Sequence, residues 1–195
     1  MNDQITKVLN HLEKLDEEER TRDDVPQEDR MFTLHPDTAQ LVHMLIESTQ
    51  SKNIVEVGVA HGYSTIWLAR AAKLTGGRVK SLEINPKNVE RAQINVQNAG
   101  LINYVDFIQG DGLKTLPLIE ETIDFALIDC WEWLYIDLLS ILRKQLKPGG
   151  FLIADNVTPG TETSDKFINT LKKDPLFNTV SVPIGRNIQF SAKIS

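Results

Sequence analysis

At 195 residues, with 41% hydrophobic and 25% charged side chains, the chain has the composition of one globular domain with a sizeable core rather than a disordered segment. A formal net charge of −6 argues against a dedicated nucleic-acid or anionic-membrane surface. The single cysteine, Cys130, rules out an intramolecular disulfide, and no apolar run reaches spanning length, so the expectation is a cytoplasmic protein that does not enter a membrane.

Residues 4–15 place Ile5, Val8, Leu9, Leu12 and Leu15 at helical spacing, for packing on the same domain or on a second copy in a homodimer. The acidic run Asp16-Glu17-Glu18-Glu19 reads as a solvated helix end or loop, and the polar stretch 20–30, with Pro26, as a mobile connection. Residues 1–30 thus form an N-terminal helix and connection, and 31–195 the main domain. Asp37 or Thr38 is expected to cap a helix running to about Thr49. From there strands at 53–58, 78–84, 104–109, 123–128 and 150–154 alternate with helices at 63–73, 86–99, 112–120 and 133–146. Asn85-Pro86 is a cap followed by proline at the first helical position, and Lys147-Pro148-Gly149-Gly150 is a stop signal. A helix near 163–173 and extended runs at 177–184 and 187–194, joined through Gly185-Arg186, complete the chain. The alternation predicts an α/β fold: a mostly parallel seven-stranded sheet, helices on both faces, and a C-terminal antiparallel hairpin.

The stretch Asn53 to Ser64 organises the rest. An apolar run ends at Glu56-Val57-Gly58, a short loop carries Ala60, and Gly62 leads into a helix beginning Tyr63-Ser64. Glycines let backbone approach a ligand, and free N–H groups at a helix start favour a carboxylate or phosphate. The spacing E-x-G-x-x-x-G differs from the dinucleotide fingerprint, which disfavours a nicotinamide dehydrogenase.

In an open parallel sheet ligands bind beyond the carboxyl ends of the strands, and acids stand at four successive strand ends. Glu83, 25 residues after Gly58, can accept both hydroxyls of a ribose or cap the next helix. Asp111, after Gly110, can accept from an adenine amine or cap its own helix. Asp129, Asp155 and Asn156 offer three oxygens that suit a hard cation, Mg²⁺ or Ca²⁺, or that satisfy neighbouring backbone N–H groups. Trp131 and Trp133 either wall a pocket or pack in the core.

Together, Glu56 to Ser64, Leu82-Glu83-Ile84-Asn85-Pro86, Ile128-Asp129-Cys130-Trp131 and Ala154-Asp155-Asn156-Val157 resemble the S-adenosylmethionine-dependent, Mg²⁺-dependent O-methyltransferases of the catechol and caffeoyl-CoA type. The resemblance implies a class I Rossmann-like methyltransferase fold over residues 31–195. It also implies a small hydroxylated, aromatic acceptor. Gly58 and the loop to Ser64 would hold the methionine part of the cofactor, Glu83 the ribose, and Ile84 and Trp131 the adenine. Met31 would lie near the sulfonium, and Asp129, Asp155 and Asn156 would ligate the metal. The sequence departs from the family at Glu132, which stands where the family has a lysine acting on the acceptor hydroxyl. A glutamate can still accept a proton, but it adds negative charge beside a developing phenolate. Arg186 and Asn187 occupy the tail region where the family carries an acid for the second hydroxyl. These departures keep two rivals open: a metal-independent methyltransferase for another acceptor, and a silent S-adenosylmethionine-binding module.

Overall fold

The computed structural model describes residues 3–194. Its seven strands are β1 (Asn53–Val57), β2 (Arg78–Glu83), β3 (Val105–Gln109), β4 (Ile123–Ile128), β5 (Leu146–Ala154), β6 (Phe177–Val182) and β7 (Ile188–Lys193), in the order β3-β2-β1-β4-β5-β7-β6. The first five run parallel. β7 lies antiparallel between β5 and β6, so the expected hairpin closes one edge with its last strand inside.

Side-chain alternation splits the core into two layers, because successive residues of a strand face opposite sides. Ile54, Phe125 and Leu127 join the layer under α1 (Asp3–Arg20), α2 (Pro36–Ser48), α3 (Tyr63–Thr75) and α4 (Pro86–Asn98). Val55, Val57, Ala126 and Ile128 join the layer under α5 (Gly112–Thr115), α6 (Tyr135–Gln145) and α7 (Glu162–Lys173). Strands covered on both faces need no polar alternation, which is why β4 reads as a nearly continuous apolar run.

Several boundaries differ from the sequence reading. α1 continues through the acidic run to Arg20. Arg20 Nε bonds Asp16 Oδ2 at 2.7 Å, one turn apart, and Asp16 Oδ1 and the Glu19 carboxylate accept the backbone N–H groups of Thr33 and Met31. The run is therefore a clamp on residues 31–33 rather than a solvated end. Ile5, Leu9 and Leu12 are buried, and α1 packs on α3 and α4 of its own domain, with Glu13 accepting the Tyr63 hydroxyl at 2.6 Å. The polar connection contains a 3₁₀ turn, Gln27–Asp29, fastened by an Arg91–Asp29 ion pair of 2.7 Å.

α2 is capped by His35, whose Nδ1 accepts from Asp37 N, with Pro36 in the first turn; the cap precedes the expected Asp37 or Thr38. The helix expected at 112–120 is one turn, followed by a 3₁₀ turn at Leu116–Leu118, because Pro117 cannot donate to a longer ladder. α6 starts at Tyr135 after a 3₁₀ turn, Glu132–Leu134. It ends at Gln145, and β5 takes up the stop signal at once, bulging opposite Ile123–Phe125. Lys193 Nζ reaches from β7 to the carbonyls of Arg143 and Leu146, satisfying acceptors at that helix end.

Candidate active site

The strand order reverses between β1 and β4, since β1 pairs β2 on one side and β4 on the other. A cavity of about 790 Å³ opens at the carboxyl ends of these strands. That is a ligand-sized volume at the position where open α/β sheets bind their ligands. The sheet ladder continues one residue past β1, β3, β4 and β5: Gly58 N to Leu82 O, Gly110 N to Glu83 O, Asp129 N to Val57 O and Asp155 N to Ile128 O, all at 2.8–3.0 Å. These bonds fix the backbone of the site residues before any side chain is considered.

The glycine loop is buttressed from β2. Glu83, 7% exposed, accepts Val59 N and Ala60 N on Oε2, each at 3.0 Å, and Asn85 N on Oε1 at 2.9 Å. One carboxylate thus shapes the loop and the start of α4 while still lining the cavity with Gly58, Ala60, Ser64 and Ile84. No side chain caps α3, whose N-cap is Gly62, so its opening N–H groups are free of side-chain competition for an anion. Asp111 caps α5 through a 3.0 Å bond from Leu113 N and also lines the cavity beside Gly110.

Asp129 and Asp155 follow the paired ends of β4 and β5 and line the same cavity. Burial, then the Asp155 charge, then that of Glu56 push the Asp129 carboxyl well above its usual range, with Arg186 and the Asn156 amide acting in the other direction. Asp155 is pushed up to about 6, chiefly by burial. Asn156, in a left-handed conformation (φ 58°), donates its amide to Asp129 Oδ1 at 3.1 Å. Asp155 Oδ1 is buried with no hydrogen-bond partner. The buried Asp155 with its orphan oxygen, the half-buried Asp129 and an adjacent amide are a donor set that a hard dication would satisfy. Among the described residues no group of three or more His, Cys, Asp or Glu side chains could hold a metal, so the amide oxygen has to be part of any site here.

Trp131 and Trp133 stack at 4.9 Å and 11° between planes, and Phe32 meets Trp131 edge-on at 6.2 Å. At 45%, 64% and 44% exposed they form a wall of the cavity rather than core. Glu132 lines the same cavity and accepts the Ser164 hydroxyl of α7 on Oε1. Cys130, on the same segment, is pushed up to about 12 by burial and by Asp129, which leaves it a poor nucleophile.

Four residues expected at the site do not line the cavity. Met31 is buried in the core layer under α1, and its neighbours Gln27, Phe32 and Thr33 reach the cavity instead. Tyr63 points to Glu13, and Gly62 lies against Ala92 of α4. Glu56 sits beneath the loop, accepting the hydroxyls of Thr65 and Ser81 on Oε2 at 2.7 Å each. Phe32 carries no motif of its own, its only local sign being an apolar residue in a short connecting segment, whereas Arg186 lies in the tail region where the family's acid is replaced.

The profile of the O-methyltransferase family matches residues 9–194. The chain belongs to that family. It is 36% identical over 130 residues to a catechol O-methyltransferase of Niastella koreensis, covering 65% of this chain and 58% of that one. It is 28% identical over 188 residues to caffeoyl-CoA O-methyltransferase 1 of Eucalyptus globulus, covering 85% and 76%. The chain spans little more than half the length of the catechol O-methyltransferases it matches, 58% for Niastella koreensis and 53% for Mycobacterium tuberculosis. Among solved structures, the O-methyltransferase of Bacillus cereus in complex with S-adenosylhomocysteine superposes with a TM-score of 0.82 at 24% identity, over 96% of this chain and 90% of that one. The Streptomyces achromogenes O-methyltransferase TomG, in complex with S-adenosylmethionine, gives 0.81 at 20%, over 100% and 91%. The methyltransferase fold follows from these. Among the described residues no helix is long and apolar enough to cross a membrane.

Proposed function

We propose that the chain is an S-adenosylmethionine-dependent O-methyltransferase acting on a hydroxyl of a small aromatic acceptor with a divalent cation, Mg²⁺ or Ca²⁺. The observation that carries this reading is that one cavity joins the Glu83-braced glycine loop to the Asp129–Asp155 pair. When bound, the cofactor supplies the methyl group and the cation supplies positive charge that lowers the pKa of the acceptor hydroxyl.

The chain's own residues then have distinct tasks. The uncapped start of α3, with Ser64, takes the cofactor's carboxylate, while Glu83 and Asp111 keep acceptor capacity for ribose and adenine. Asp129, Asp155 and the Asn156 amide oxygen would hold the cation. The wall of Phe32, Trp131 and Trp133, with Trp131 also at the adenine edge, orients a planar acceptor and excludes water from its face. Glu132 takes the acceptor proton, oriented by Ser164, which is 1% exposed and occupies only Oε1.

The test is transfer of labelled methyl from S-adenosylmethionine to catechol with Mg²⁺ and after chelation. Chelator-sensitive transfer supports the proposal, and unchanged transfer in excess chelator supports a metal-independent enzyme. Cofactor binding without transfer to any hydroxylated aromatic would support a silent binding module, the second reading that Glu132 motivates.

A further inference from the structure

We infer that Arg186 selects the acceptor: its guanidinium takes the carboxylate of a hydroxylated aromatic acid bound in the cavity. This rests on the proposed methyltransferase reading and deepens it. Among the described residues Arg186 is the one lysine or arginine that lines the cavity, beside Asp129, Asp155 and Asn156. Its guanidinium has neither a hydrogen bond nor a contact ion pair among the described residues.

The turn that carries it is held on two sides. Gly185 (φ +57°) is pressed against α2 so closely that a Cβ would lie 2.5 Å from Thr38 Oγ1 and 2.7 Å from His35 Cβ. Asn187 (φ 68°) accepts Val157 N on its carbonyl at 3.0 Å, and Thr158 Oγ1 reaches the Arg186 carbonyl at 3.5 Å. The backbone of Arg186 is therefore held in place, and its side chain lines the cavity with the two aspartates, both of which feel its charge.

The chemistry narrows the ligand. Arginine stays protonated, so it cannot be the base that the family's lysine position would have supplied. Its fork matches a planar carboxylate with two parallel hydrogen bonds. Asp129 and Asp155, if they hold a dication, would be neutralised by it, leaving the Arg186 charge for another anion. A dianionic phosphate would sit against Glu132, Glu83 and Asp111, which line the same space, whereas a monoanion is balanced by one guanidinium. The aromatic wall supplies the surface for the ring that carries the carboxylate.

The experiment compares 3,4-dihydroxybenzoate with catechol on the protein holding S-adenosylhomocysteine and Mg²⁺, by calorimetry, and with S-adenosylmethionine by initial rates. The unsubstituted protein is expected to prefer the acid by about tenfold or more in Kd and kcat/KM, the scale of a charge-assisted hydrogen bond. Arg186→Ala should collapse that ratio towards one, and Arg186→Lys, which keeps the charge without the fork, should fall between. A ratio near one in the unsubstituted protein, a ratio that Arg186→Ala leaves unchanged, or binding of neither ligand overturns the inference. Arg186-dependent binding of the acid without methyl transfer would overturn the proposed function and leave this inference standing. Transfer to both ligands at a ratio indifferent to Arg186 would do the reverse.

Discussion

A Cβ placed on Gly58 would lie 2.1 Å from the carbonyl oxygen of Asp129, so the glycine loop and the end of β4 touch with no room for a side chain. Gly58 also has φ +94°, a conformation that side-chain-bearing residues rarely adopt. Gly58→Ala therefore meets both a backbone clash and strain, a cost of about 2–4 kcal/mol. Denaturant melts should show that loss, and calorimetry should show weakened S-adenosylhomocysteine binding. A midpoint and affinity equal to those of the unsubstituted protein would contradict the packing described here.

The strands and their parallel direction were readable because each depends on a local pattern. Apolar runs stop at Glu83, whose carbonyl accepts Gly110 N, and at Gly58, Gly110, Asp129 and Asp155, whose N–H groups carry the ladder one residue past β1, β3, β4 and β5. What could not be read depends on contacts between distant segments. Asp16 and Glu19 look like solvent-facing helix residues until residues 31–33 are folded across them. Met31 lies one residue from Phe32, and only the left-handed turn at Phe32 (φ 44°) decides which of the two faces the cavity. Arg186 acquires its meaning from β7 inserting beside β5, a pairing that no residue near 186 encodes.

Glu56 makes stability depend on pH. It is fully buried, and burial raises its carboxyl from 4.5 to about 7 despite the hydroxyls of Ser64, Thr65 and Ser81. Oε1 has no hydrogen-bond partner. A carboxyl raised on folding contributes stability that is fully present below its unfolded value, near 4.5, and lost as pH rises through about 7. The loss is on the order of 3 kcal/mol. Glu56→Gln keeps an oxygen for Thr65 and Ser81 and removes the titration. Its urea midpoint should be flatter than that of the unsubstituted protein between about pH 5 and 8. Parallel pH profiles for the two proteins would show that Glu56 is not responsible.

Glu132 distinguishes a base from an anchor. Glu132→Gln leaves a carbonyl oxygen for Ser164 but cannot take a proton. If Glu132 is the base, kcat should fall by about a hundredfold or more while S-adenosylmethionine binding holds. Ser164→Ala, which frees the carboxylate without neutralising it, should cost less. Equal, small losses in both variants would assign Glu132 to holding α7 against the turn at Glu132–Leu134.

Asp155 gives the sharpest test of a cation. Its carboxyl is raised from 3.8 to about 6, and Asp129 is raised with it. The Asp155 contribution to stability is fully present below about pH 3.8 and lost as pH rises through about 6, because the folded protein must then hold buried negative charge. A dication relieves that cost by binding the ionised forms, and ionised forms are available only above this range. Saturating Mg²⁺ should therefore raise the melting temperature clearly near about pH 7.5 and little near about pH 5. Asp155→Asn should abolish the Mg²⁺ shift, and without metal it should be more stable than the unsubstituted protein near about pH 7.5, since one buried charge is gone. A Mg²⁺ shift equal at both pH values, or one that survives Asp155→Asn, would mean that the ion binds elsewhere and that this pair of aspartates serves only the fold.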